Sequence, residues 1–155
     1  MGRRKERGFT LVELIVAFTV MLILTSMSVP LARSKVQAER ARELHRALDE
    51  VRRAIDKYKD NCDLGYFGPP KLGTNCYPET LDILVDGQKL AQSAEGKKLR
   101  FLRRIPRDPF TGKYEWGMRS DQDDPKSMSW GGQDVFDIYT KSTDKAPDGT
   151  AYADW

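Results

Sequence analysis

The sequence predicts an α+β fold: a long N-terminal helix, membrane-spanning in its first half, packed on a small C-terminal antiparallel sheet. Three observations carry that prediction. Residues 9 to 32, FTLVELIVAFTVMLILTSMSVPLA, hold a single charge, Glu13. Residues 33 to 60 keep a helical apolar period with charges of both signs on the other face. Residues 61 to 155 are rich in Gly, Pro and short β-prone runs, and they hold both cysteines. A chain of 155 residues is about one domain long.

The formal charge of +3 does not describe a basic surface. Residues 1 to 8, MGRRKERG, place Arg3, Arg4, Lys5 and Arg7 against Glu6, so the net charge resides in this short leader and the remainder is neutral. No general electrostatic case exists for a nucleic-acid partner or an acidic substrate. The mean hydropathy of −0.61 is that of a soluble protein, so the apolar residues are concentrated at one end.

At a rise of ~1.5 Å per residue, a helix over 9–32 reaches about 36 Å, enough to cross a hydrocarbon core of ~30 Å. The cations before it favour a cytoplasmic N-terminus. Arg33, Lys35, Arg40 and Arg42 follow it and argue weakly the other way. Two competing readings are a plain signal anchor and a cleaved secretory signal, the latter with Ser26 and Ser28 at small-x-small spacing. Glu13, near the start of the apolar run, and the length of that run before Ser26 argue against the cleaved signal.

Gly8 followed by FTLVE, then an apolar helix with Pro30 at the twenty-second residue from Phe9, resembles the N-terminus of type IV pilins and type II secretion pseudopilins. That resemblance implies cleavage between Gly8 and Phe9 by a prepilin peptidase, which also N-methylates Phe9. Residues 1–8 are then a prepilin leader and 9–32 a transmembrane and filament-core helix. A carboxylate in hydrocarbon costs several kcal/mol unless paired or neutralised. The ammonium that cleavage creates on Phe9 lies one helical turn from Glu13, which could close on its own terminus, close on that of an adjacent subunit, or stay protonated without an assembly role; the resemblance implies that Glu13 pairs with Phe9 of a neighbouring subunit during assembly. Pro30 lacks a backbone donor and would kink or open the helix, with Ser26 and Ser28 able to bond the freed groups.

Over 33–60 the apolar positions Leu44, Leu48, Val51, Ile55 and Tyr58 alternate steps of four and three, a narrow stripe that fits packing on the C-terminal part. Asp49 and Arg53 form an acid-before-base pair at i, i+4. His45 has no ligand partner at metal spacing and is read as a surface residue. In the head, 61–155, Cys62 and Cys76 lie beyond the membrane segment in an oxidising compartment, where a disulfide closing their loop would contribute about 3 kcal/mol. Two thiols without histidine are too few for a metal. YPETLDILVDG predicts a short helix, with Pro78 near its start, Leu81, Leu84 and Val85 on one side and Gly87 after its end. PFTG followed by KYEWGMRS predicts a turn into a strand, and DVFDIYTKS is the strongest strand candidate; the two form an antiparallel hairpin with a long loop.

YPETLDILV, RRIPRDPFTGKYEW and VFDIYTKSTDKAPDGTAYADW resemble the body of the major, G-type pseudopilins of type II secretion. The cysteine loop and the ending TAYADW depart from that pattern. The resemblance implies calcium in the C-terminal loop, for which Asp144, Asp148, Asp154 and the Ala146 carbonyl are the nearest candidates; a loop held by Pro147, Gly149 and docking of Trp155 is the alternative. No nucleophile–base cluster or phosphate-cradling loop is present, so the chain reads as non-enzymatic. The implied function is a structural subunit of a secretion pseudopilus at the bacterial inner membrane, single-pass with its head in the periplasm. Its implied partners are copies of itself, the prepilin peptidase, the inner-membrane assembly platform, minor pseudopilins and membrane lipid. The alternatives are a type IV pilin of a surface fibre and a membrane-anchored module that binds secreted cargo through the 62–76 loop.

Overall fold

A computed structural model describes residues 10–93 and 95–155, with the side chains of 26–33 outside the description. It divides into two compact units, Met1–Glu39 and Arg40–Trp155. Helix α1, Leu11–Asp63, contributes to both.

Over residues 11–25, whose side chains are described, α1 is apolar apart from Glu13, Thr19 and Thr25. Leu11 is 74%, Phe18 64% and Leu22 70% exposed, so among the described residues this stretch has no buried face. Two of its hydroxyls bond their own helix: Thr19 Oγ1 donates to the Ile15 carbonyl at 2.6 Å and Thr25 Oγ1 to that of Met21 at 2.7 Å. Such back-bonding hides a polar group from a surrounding that cannot accept it. Among the described residues no helix is long and apolar enough to cross a membrane. The span expected over 9–32 has described side chains only at residues 10–25.

In the second unit the expected stripe is the core. Leu44, Leu48, Val51, Ile55 and Tyr58 are all buried, joined by Ala47 and Ala54. They pack in one cluster with Leu81, Leu84, Leu102, Trp116, Val135, Ile138 and Tyr152. Val36 is exposed and Ala41 only partly buried, so the stripe begins where the head provides something to cover it.

The head carries α2 (Leu81–Asp86), β1 (Gln88–Lys89), β2 (Lys98–Leu99), β3 (Gly117–Arg119), β4 (Asp137–Tyr139) and a short 3-10 turn, Tyr152–Asp154. Helix α2 buries Leu81 and Leu84 and stops at Gly87, whose φ of 84° suits glycine and whose N–H donates to the Ile83 carbonyl. It starts after Thr80 rather than at Pro78. Pro78 is buried, and its carbonyl accepts from the Val135 amide at 2.8 Å.

The expected hairpin forms: β3 pairs antiparallel with β4, Gly117 opposite Tyr139 and Arg119 opposite Asp137. A second two-stranded ladder, β1 with β2, was not foreseen. Its strands are two residues each and too short to leave a period-2 signature.

Candidate functional site

The N-terminal unit carries the first part of the site. The Glu13 amide donates to the Thr10 carbonyl at 3.0 Å and to Thr10 Oγ1 at 3.4 Å, so Thr10 caps α1 and Glu13 sits three residues later. The Thr-x-x-Glu spacing is that of a capping box, whose threonine half is made here. An acid in the first turn also complements the positive end of the helix dipole. Glu13 is exposed among exposed apolar neighbours. Its chemistry is therefore that of an acceptor presented on a greasy rod to whatever packs against it. Gly8 and Phe9, with the leader, lie outside the described residues, as does the side chain of Pro30.

The head is closed by two arginines that sequence reasoning missed. From α1, Arg52 donates through Nε to Asp137 Oδ1 at 2.7 Å and through Nη2 to the Trp155 main-chain oxygen at 2.8 Å. Arg119, on β3, donates to the Ser127 and Ala153 carbonyls at 2.9 and 3.3 Å, and its Nη1 lies 3.6 Å from Asp137. Its guanidinium also sits 4.3 Å from the centre of the Tyr139 ring. Trp155 stacks on His45, centroids 4.3 Å apart and planes 14° apart, and meets Tyr152 edge-on. His45, read from the sequence as an idle surface residue, is the platform for the last aromatic. The signal available was position: His45 and Arg52 each flank the stripe one residue from a buried leucine or valine.

The segment RDPFTG is organised by one carboxylate. Asp108 is fully buried; Oδ1 accepts from the Phe110 and Thr111 amides, and Oδ2 from Thr140 Oγ1 at 2.6 Å. Trp116 Nε1 donates to the Pro106 carbonyl at 3.0 Å. The turn is thereby tied to β4.

Cys62 and Cys76 are bonded, with Cα atoms 5.5 Å apart. Beside the bridge, Asn75 and Cys76 both adopt positive φ, 46° and 67°. The bridged loop leans on the β3–β4 loop: Asn75 Nδ2 donates to Asp121 Oδ2, and Gln122 Nε2 to the Gly73 carbonyl. Within that second loop, Asp123 takes the Ser120 and Gly131 amides, which hold its carboxyl below the usual range. Burial pushes Asp134 up, with the adjacent Asp121 adding to the shift.

The four calcium candidates are not brought together as ligands. Asp148 Oδ1 accepts from both the amide and hydroxyl of Thr150, which lower its pKa. The Ala146 carbonyl accepts from Gly149, and Ala146 N–H donates to Thr150. The Asp144 carbonyl accepts from Tyr152, and Asp154 is exposed on the final turn. Among the described residues no group of three or more His, Cys, Asp or Glu could hold a metal ion. Turn hydrogen bonds run through this tail, and Trp155 stacks on His45 at its end.

The model of the prokaryotic N-terminal methylation motif matches residues 3–29. Over 152 residues the chain is 28% identical to the type II secretion system core protein G of Klebsiella michiganensis, covering 95% of this chain and 90% of that protein. It is 30% identical over 122 residues to the protein of the same name in Aeromonas hydrophila, covering 74% and 75%. With that of Escherichia coli it shares 30% over 115 residues, covering 71% and 70%. No solved structure matches the chain. The chain thus belongs to the family of the type II secretion system core protein G, and it is a structural pseudopilin rather than an enzyme.

Proposed function

We propose that this protein is the major subunit of a type II secretion pseudopilus, held in the inner membrane until it polymerises. The observation that carries the reading is the exposed apolar stretch of α1 with one acid, Glu13, four residues after Phe9. A helix apolar all round needs an apolar surrounding, first lipid and then neighbouring helices. Prepilin peptidase removes residues 1–8 on the cytoplasmic face and methylates Phe9, which keeps its positive charge. Glu13 then accepts the Phe9 ammonium of an adjacent copy, so each charge loses its desolvation cost only in the assembled filament. The assembly platform and minor pseudopilins start and extract the array, while the periplasmic heads coat it. Pro30 supplies a point at which the packed helix bends or opens.

Mass spectrometry of the mature protein tests the processing step: a methylated Phe9 terminus is expected, whereas a terminus at Val29 marks a secretory signal and refutes the reading. Deletion of the gene is expected to abolish export through the outer membrane. Loss of twitching motility with secretion intact would instead assign the subunit to a surface pilus.

A further inference from the structure

The β1–β2 ladder sets like charges against each other. Lys89 stands directly opposite Lys98, so both side chains leave the same face of the ladder. Arg100, one residue past β2, lies across Gly87, where an added Cβ would come within 2.8 Å of its Cγ. All three cations are exposed, and among the described residues none forms an ion pair. Residues 97–107, KKLRFLRRIPR, hold no acid. Like charges directly opposite destabilise a ladder, and a local conflict of this kind marks a functional surface.

The opposite sign gathers in the β3–β4 loop, where Asp121, Asp123 and Asp124 are interrupted only by Gln122. Asp124 is exposed and Asp123 partly so. The Ser120 and Gly131 amides hold the Asp123 carboxyl below the usual range. Among the described residues none of these acids joins an ion pair. Each patch borders the disulfide-bonded loop. The Ala91 amide, just after β1, donates to the Tyr66 carbonyl at 2.8 Å, while Gly73 and Asn75 bond the β3–β4 loop. Outside the leader the chain is neutral in sum, so its head carries two uncompensated patches of opposite sign.

We propose that Lys89, Lys98 and Arg100 of one subunit dock on Asp123 and Asp124 of a second copy of this chain. The chain itself carries the complement of its cationic patch, which favours a copy over any other acidic partner. Two different patches meet in such a contact, so copies add without closing on themselves. Opposite charge fixes the register of the heads, and like charge rejects wrong ones. Exposed on both sides, the contact weakens with salt. Its place in a filament rests on the pseudopilus reading above.

The test is zero-length cross-linking of the full chain in membranes with a carbodiimide, which joins a lysine amine to a carboxylate in direct contact. Peptide mass spectrometry of the dimer band and electron microscopy of sheared filaments follow. The expected link joins Lys89 or Lys98 to Asp123 or Asp124. Lys89→Glu with Lys98→Glu is expected to lower the yield of linked dimer about fivefold or more. Asp124→Lys alone should do the same, since it leaves Asp123 and its amide bonds in place. The chain carrying all three substitutions should regain the dimer. A dimer linked only through other residues, wild-type yield from either variant, or no recovery in the combined chain overturns the contact. Loss with the lysine variant but not with Asp124→Lys would assign the cations to an anionic lipid surface and overturns it too. The expected link without filaments would refute the pseudopilus reading and leave the contact standing; filaments without the link would do the reverse.

Discussion

Arg52 shows how a charged residue on a helix becomes structural. Its neighbours in sequence carry charges of both signs, and from spacing alone it belongs to the solvated face of α1. In the fold it is half-buried and joins three segments: the helix, Asp137 on β4 and the main chain of Trp155. Replacing it leaves Asp137 with only the longer contact to Arg119 and frees the Trp155 oxygen. Arg52→Ala is therefore expected to destabilise the head by about 2 kcal/mol, read from chemical denaturation of the solubilised chain. A shift no larger than that of an exposed pair such as Asp49–Arg53, worth well under about 1 kcal/mol, would show that the contacts are idle. Asp108 makes the same point for legibility. The turn around it is readable from Pro106, Pro109 and Gly112, but its burial depends on Thr140, far along the chain, and no local pattern encodes that.

At the level of elements, periodicity worked where burial was continuous. The stripe from Leu44 to Tyr58 was legible because each step of four or three lands on the same buried face. Helix α2 was legible from its own leucines and from Gly87. The β1–β2 ladder was not, since pairing across two residues leaves no alternation. In the β3–β4 pair, the absence of a side chain at Gly117 makes room for the Tyr139 ring, which a Cβ there would overlap. Gly117→Ala is expected to displace that ring from beneath Arg119 and to cost about 2 kcal/mol. Thermal melts measure it, and an unchanged midpoint would mean the ring moves freely. Reduction of Cys62–Cys76 releases a loop that the chain-entropy model holds with about 3 kcal/mol. Melts with and without reductant should differ accordingly, while equal midpoints would show that the loop's noncovalent contacts, Asn75–Asp121 and Gln122–Gly73 among them, hold it without the bridge.

Across the whole molecule, function was legible from the N-terminus and chemistry was not legible from the head. Gly8, Phe9 and Glu13 stand in a local order that carries its meaning in sequence. By contrast, the pairing of Asp121 with Asp134 and the stacking of Trp155 on His45 join residues that only the fold brings together. The acids of the 144–154 loop are ambiguous in sequence because short polar residues serve both turns and cations. Asp148 and Thr150 use theirs for a turn. The central claim rests on Glu13, the one charge in an otherwise apolar stretch. Its most direct test is filament assembly by Glu13→Ala, followed by electron microscopy of sheared filaments beside a blot for leader cleavage. The variant is expected to insert and to be cleaved normally while forming few or no filaments. Filaments at wild-type length and number from cleaved Glu13→Ala would contradict the pairing of Glu13 with the Phe9 ammonium as the step that drives assembly.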